Sequence, residues 1–421
     1  MQKFTFECIN CAKKYHESEV LYLCPDCNKQ NVSNKPPKGV LKTIYNYKKS
    51  LVQNSGSLSL PIQHFKELKL SQYIDILPIK SIDNLPKLRI GQTPLYSFNT
   101  LDGIKLPLKL FLKDDSQNPT YSFKDRASAI VSAYAKERAF DTIVAASTGN
   151  AGSSLAGICA SQGQKAIILV PEKAPLAKLT QIIMYGAKLI PIKGTYDDAF
   201  DLSIKASEQF GWYNRNTGYN PLTIEGKKSV SYELFEQLNY NISDHMFIPV
   251  GDGVILSGVY KGFEDLLNYG IIDKIPTIVA VQSKESDNLV RNISSPDFDI
   301  IKSSTIADSI SVDIPRNFYM AQHFIKLYQG EVLTVTDEDI LKASSSLSKN
   351  TGLFTEPASA AAFAGFLAYL KNDKLGKNSS NVVLLTGSGL KDLKTVNQFI
   401  KMPESIEPSL NNLEKLMHES N

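Results

Sequence analysis

From about residue 100 onward the chain repeats one unit: a short β-branched apolar run, a turn marked by glycine, then an Ala-rich amphipathic segment. Six runs, 143–146, 166–170, 188–192, 246–250, 278–281 and 382–385, are apolar at successive positions rather than at alternate ones. A strand that is apolar on both faces is covered on both faces, as in a buried parallel sheet. Between the runs, 128–138, 176–185, 197–210, 257–268, 337–348 and 358–371 read as helices. This alternation predicts an α/β fold of open parallel sheet with helices on both faces. The polar stretch 28–39, with Pro36, Pro37 and Gly39, reads as a linker that sets apart a short N-terminal module. Beyond about 401, Pro403, Pro408 and several Glu, Ser and Asn predict a loosely packed tail.

Length and charge narrow the picture further. A chain of 421 residues exceeds what one core usually serves, so two lobes and a small appendage are expected. Apolar residues at 43% and charged residues at 21% are ordinary for a globular protein. No apolar run approaches the roughly 20 residues of a membrane span. The start, Met1 to Cys8, has no apolar signal core, which makes the cytoplasm the expected compartment. A net charge of +3 without a basic block gives too weak a local field for nucleic acid to be the main partner.

Ligands of open parallel sheets gather beyond the carboxyl ends of the strands. Three glycine-marked loops hold that kind of position: Ala146-Ser147-Thr148-Gly149-Asn150-Ala151-Gly152, Val250-Gly251-Asp252-Gly253-Val254 and Leu385-Thr386-Gly387-Ser388-Gly389. A glycine turn that opens a helix aims free N–H groups and the positive end of the helix dipole at one point, which suits a phosphate or carboxylate. Lys124 lies among small polar and aromatic residues, Asn118 to Arg126, just before an Ala-rich helix. Gly251-Asp252-Gly253 is not a dinucleotide fingerprint, and the chain has no Gly-Lys-Ser or Gly-Lys-Thr loop. The expectation is an anionic cofactor beside Lys124.

Four of five cysteines fall within the first 27 residues. Cys8-x-x-Cys11 and Cys24-Pro25-x-Cys27, with 12 residues between the pairs, offer four thiolates in tetrahedral array to zinc. Ala12 occupies a knuckle position that favours glycine, because positive φ is wanted there. Cys159 reads as a buried small apolar residue. His16, His64, His245, His323 and His418 have no ligand or triad spacing.

Ser122-Phe123-Lys124-Asp125-Arg126, Ala146-Ser147-Thr148-Gly149-Asn150, Asn220-Pro221 with Glu225-Gly226, Pro249-Val250-Gly251, Phe354-Thr355-Glu356-Pro357-Ala358-Ser359-Ala360 and Leu385-Thr386-Gly387-x-Gly389-Leu390-Lys391-Asp392 resemble, in order, the blocks of the threonine synthase family. That family is among the tryptophan-synthase-β-like, fold-type II pyridoxal-phosphate enzymes. The resemblance spans about 90 to 395. It implies two open, mostly parallel sheet lobes: a large cofactor-binding lobe at 41–140 and 215–402, and a small mobile lobe at 141–214. A zinc-ribbon-like module with its linker would fill 1–40, and the tail 403–421.

The resemblance also implies a homodimer and the site roles. Lys124 would carry pyridoxal phosphate covalently, its amine kept partly uncharged by desolvation or by a neighbouring cation such as Arg126. Gly251, Asp252, Gly253, Val254 and Ile255 would cradle the cofactor phosphate. Asn150 would face the ring hydroxyl and Thr386 the ring nitrogen, where a neutral hydroxyl favours elimination over transamination. Ser147, Thr148, Gly149 and Asn150 would grip the α-carboxylate of an amino-acid substrate. That substrate would be O-phospho-L-homoserine, losing phosphate and gaining water to give L-threonine.

Several positions depart from the family pattern. Ala151 stands where threonine is usual, and Thr223 where an arginine binds the substrate's phosphate. The segment Asn216 to Asn220 is one residue longer than expected, and Asp252 replaces the usual asparagine. Lys227, Lys228 or Arg316 could restore positive charge. The alternatives are β-replacement on O-phospho-L-serine, as in a cysteate-synthase-like enzyme using sulfite, and a serine or threonine dehydratase. Thr305-Ile306-Ala307-Asp308-Ser309-Ile310 resembles a Thr-x-Ala-Asp-Gly-Ile segment of the dehydratases. A non-enzymatic scaffold is disfavoured by low net charge and the intact surroundings of Lys124.

Overall fold

A computed structural model describes residues 3–47, 60–295, 297–397, 400 and 402–419. In β1 (Phe4–Cys8) every second residue is buried, so one face of the strand packs and the other does not. β2 (Lys14–His16) and β3 (Leu41–Tyr45) pair antiparallel on either side of it, giving the order β2-β1-β3. β3 shows the same alternation as β1. Its pairing carries the module's sheet to Tyr45, past the expected boundary at residue 40, because an alternating strand is satisfied only beside a partner with the same pattern.

β4 (Leu95–Leu101) and β5 (Ile104–Asp114) then form an antiparallel hairpin. The chain next builds a separate sheet from β6 (Thr142–Ala146), β7 (Lys165–Pro171), β8 (Lys188–Ile192) and β9 (Tyr213–Asn214), ordered β8-β7-β6-β9 and wholly parallel. It returns with β10 (His245–Pro249), β11 (Thr277–Ser283), β12 (Glu331–Val335) and β13 (Ser380–Leu385). These join the hairpin in the order β12-β11-β10-β13-β5-β4, parallel except for β4.

All six doubly apolar runs are strands of these two sheets. Val382, Val383, Leu384 and Leu385 have no exposed surface, which is what removes alternation from a central strand. Full burial of each such side chain contributes about 1.5–3 kcal/mol. Helices cover the sheets at Lys124–Glu137, Asn150–Gln162, Leu176–Met184, Tyr196–Phe210, Val254–Asn268, Asp337–Thr351 and Pro357–Lys371. Two of them begin three or four residues earlier than the apolar spacing indicated, at Lys124 and Val254, and both of these first residues line the cavity. The tail contains a helix, Leu410–Glu419, whose surface is almost wholly exposed. Among the described residues no helix is long and apolar enough to cross a membrane. The carboxyl ends of β6, β10 and β13 open onto one cavity.

Candidate active site

Backbone hydrogen bonds from three sequence blocks fix Lys124. Phe123 N–H donates to Thr386 O (2.9 Å), Ser388 N–H to Tyr121 O (3.1 Å) and Glu356 N–H to Gly387 O (3.1 Å). Asp125 accepts from the Thr120 N–H (2.7 Å) and hydroxyl (2.5 Å), closing the loop just before the helix. Lys124 therefore enters a cavity of about 550 Å³ as the first residue of its helix. Burial lowers its amine from 10.5 to about 8; Glu356 opposes the shift and Arg215 adds to it.

Two helix N-termini face the same space. Asn150–Gln162 starts after Gly149, and its first intrahelical donor is Ser153 N–H, so Asn150, Ala151 and Gly152 keep their N–H groups free of helix bonds. Val254–Asn268 starts after Gly253, held at φ 84°, a left-handed conformation that glycine adopts at no steric cost. Its first intrahelical donor is Ser257 N–H. Ser147, Thr148, Gly149, Asn150, Gly251, Asp252, Gly253, Val254, Ile255, Thr386 and Lys124 all line the one cavity. Every site residue expected from the sequence outside the cysteine module is thus brought together. The free N–H groups and the lowered amine fit a phosphate-bearing aldehyde cofactor.

Some surroundings differ from expectation. Arg126 does not face Lys124: its guanidinium is bidentate to Asp115 (2.6 and 2.9 Å) and also bonds Glu233 (2.6 and 2.8 Å). The cation that bears on Lys124 is Arg215, and Lys227 faces both of them. Asp252 does not lie idle beside an anion site. One of its carboxylate oxygens accepts from the Arg316 N–H (3.1 Å), and burial raises its pKa. The Asn150 amide donates to both oxygens of Glu356 (3.0 and 2.9 Å) and to Ser309 (3.3 Å). Glu356 is buried, its pKa raised by that burial.

Of the three compensating cations considered, Lys228 is consumed by Glu225 (2.5 Å) and Asp265 (2.8 Å) and does not line the cavity. Arg316 lines it but pairs with Asp197 and stacks 4.7 Å over Phe200. Lys227 lines it, and its Nζ has no hydrogen-bond partner among the described residues. Thr223 is buried, its hydroxyl donating to Asn220 O (2.8 Å) outside the cavity. No histidine lines the cavity, and Cys159 is buried with its thiol pushed up to about 12 by that burial. Arg215 went unread in the sequence because it belongs to no glycine turn. The available signal was an arginine directly after a strand of the small sheet.

Outside this cavity, Cys8, Cys11, Cys24 and Cys27 bring their sulfurs within 4.8 Å of one another. Cys8 and Cys27 are 3.7 Å apart, Cys11 and Cys24 3.8 Å. Four sulfurs at about 2.3 Å from one tetrahedral zinc would be roughly 3.8 Å apart, so the set fits that ion. Ala12 adopts φ 59°, the strained conformation its position demands.

A family profile described as "Pyridoxal-phosphate dependent enzyme" matches residues 87–387. The threonine synthase of Methanocaldococcus jannaschii is 34% identical over 419 residues, covering 98% of this chain and 99% of that protein. The threonine synthase of Methanosarcina acetivorans is 32% identical, covering 97% of each. Among solved structures, the processed form of threonine deaminase isoform 2 from Solanum lycopersicum superposes with a TM-score of 0.65 at 20% identity, over 84% of this chain and 97% of that one. At that identity the superposition speaks for the fold alone.

Proposed function

The chain belongs to the pyridoxal-phosphate dependent enzymes and, within them, to the threonine synthase family; from that premise we propose that it releases phosphate from O-phospho-L-homoserine and adds water to give L-threonine. Pyridoxal phosphate, when bound, supplies an electron sink next to the substrate's α-carbon. Lys124 is the residue that attaches it and carries the α-proton. An amine at about 8 is uncharged in a useful fraction near neutrality and recovers its proton readily. The free N–H groups at the start of the helix Val254–Asn268 hold the cofactor phosphate, and Ser147, Thr148, Gly149 and Asn150 hold the substrate's α-carboxylate. Thr386 presents a neutral hydroxyl to the ring nitrogen, which disfavours transamination.

The unit 141–214 is proposed to close over the substrate and keep out all but the reacting water. Ion pairs already join it to the larger unit, Lys178 with Asp308 at 2.7 Å and Asp197 with Arg316. The cysteine cluster is proposed to hold one structural zinc, since four thiolates leave no open position for catalysis. A cytoplasmic homodimer completes the proposal.

The observation that carries this reading is Lys124, its amine lowered by burial, set between two free helix N-termini in one cavity. The test is to supply the loaded enzyme with O-phospho-L-homoserine and measure phosphate and threonine together. Equimolar release of both is expected. Bound cofactor with neither product, alongside phosphate release from O-phospho-L-serine in the presence of sulfite, would replace this reaction with β-replacement.

A further inference from the structure

The cavity holds a third set of anion donors, distinct from the two helix N-termini. Arg215 and Lys227 have no exposed surface, yet Arg215 Nη2 and Lys227 Nζ have no hydrogen-bond partner among the described residues. Both side chains line the cavity. An unpaired cation buried in this way is costly unless a ligand completes it. We propose that Arg215 and Lys227 form the subsite for the phosphate group of a phosphorylated amino-acid substrate. The proposal rests on the phosphorylated-substrate reading above and supplies the ligands missing at positions 151 and 223.

The pair is built into the fold. Arg215 follows β9, and its N–H donates to Val144 O (2.8 Å). Its Nη1 donates to Thr217 (2.7 Å) and its Nε to Ser128 (3.3 Å), which orients the guanidinium and leaves Nη2 over. Lys227 ends the helix Leu222–Lys227, four residues after Thr223. Residues four apart share a helix face, so the long side chain at 227 reaches toward the region a side chain at 223 would serve. Gly258 makes room: a Cβ there would lie 2.6 Å from Lys227 Cβ.

Charge argues for a dianion. Lys124 and Arg215 both oppose the charge on Lys227, whose amine is lowered well below its usual value, chiefly by burial. Asp252 is the one acid that acts on it in the other direction, and that carboxylate accepts from Arg316 N–H. Glu356, a buried acid of the cavity, is held by Asn150. The Arg215 guanidinium, and the Lys227 amine once an anion restores its proton, suit the charge and the several acceptor oxygens of a phosphate monoester. The cofactor's own phosphate has backbone donors at Val254–Asn268, which leaves this pair for the substrate.

The test uses the cofactor-loaded full chain and two unreactive amino acids: norvaline, and its counterpart bearing a phosphonate in place of the substrate's phosphate. Binding is read from the change in the cofactor's visible absorbance. The wild type should bind the phosphonate at least about 100-fold more tightly than norvaline, as two charge-assisted contacts allow. Lys227→Met and Arg215→Met should each weaken the phosphonate by about 10–100-fold while leaving norvaline and cofactor content unchanged. Lys227→Arg should recover part of the loss, which a purely structural role would not produce. Equal discrimination in wild type and both Met variants overturns the subsite while sparing the phosphorylated-substrate reading. So does a loss of cofactor affinity with discrimination intact, which would assign the pair to the cofactor's phosphate. No discrimination by the wild type overturns both.

Discussion

Two groups of buried cations divide this molecule. Under the large sheet, Arg126 is shared by Asp115 and Glu233, Lys113 bonds Glu233, and Lys228 and Lys261 meet at Asp265. Tyrosines of the N-terminal segment complete the second cluster: Tyr45 donates to Glu225 and Tyr47 to Asp265, both at 2.6 Å. In the cavity, Arg215 and Lys227 have no exposed surface and Lys124 is half-buried, and Arg215 Nη2 and Lys227 Nζ have no hydrogen-bond partner among the described residues. The scaffold cations are neutralised by acids of the chain itself. Arg215 and Lys227 wait for something the chain does not supply, as the phosphate group of a phosphorylated amino acid would.

The widest break of this contrast is Lys124→Ala. Turnover should fall by about 1,000-fold or more, because attachment and proton transfer are lost together. Phosphate release from the variant measures it, and residual activity within tenfold of wild type would remove Lys124 from the chemistry. Next come substitutions with opposite signs. Arg126→Met strands Asp115 and Glu233 and should destabilise the fold by about 3–5 kcal/mol in denaturant. Lys227→Met relieves an unpaired group and should stabilise the cofactor-free protein by roughly 1–3 kcal/mol. Two shifts of the same sign would abolish the distinction.

A pH series sharpens it further. Lys124 is lowered from 10.5 to about 8 in the fold, so the unfolded chain binds the extra proton between those values. The destabilisation is complete below pH 8 and fades as pH rises toward 10.5. The stability gain of cofactor-free Lys124→Met over wild type should therefore shrink across that window, and a flat difference would contradict the assignment. The smallest effect is Thr386→Ala, which removes one neutral contact and should slow turnover about three- to tenfold with the cofactor still bound.

The sequence was informative where the architecture is repetitive. Doubly apolar runs located five buried strands and the partly exposed edge strand β8, and the glycine turns marked the loops of the cavity. β12 escaped because Glu331-Val332-Leu333-Thr334-Val335 is an edge strand of its sheet and is only partly buried. The β4–β5 hairpin escaped because most of β4 is exposed, so its pattern carries little apolar signal. At the site, positions flanking glycines could be read because helix starts need particular residues. Arg126 was misread for the opposite reason: adjacency in sequence to Lys124 says nothing about direction, and the next residues of a helix point to other faces. Arg215 and Lys227 depend on long-range packing, and only the fold reveals that their charges are left open.

The most direct measurement is borohydride reduction of the loaded enzyme followed by peptide mass analysis. Two amines with lowered pKa, Lys124 and Lys227, line one cavity, so it offers the cofactor two points of attachment. The account predicts a single pyridoxyl label on the peptide carrying Lys124, with Lys227 unmodified. A label on Lys227, or no label on either lysine, would contradict it.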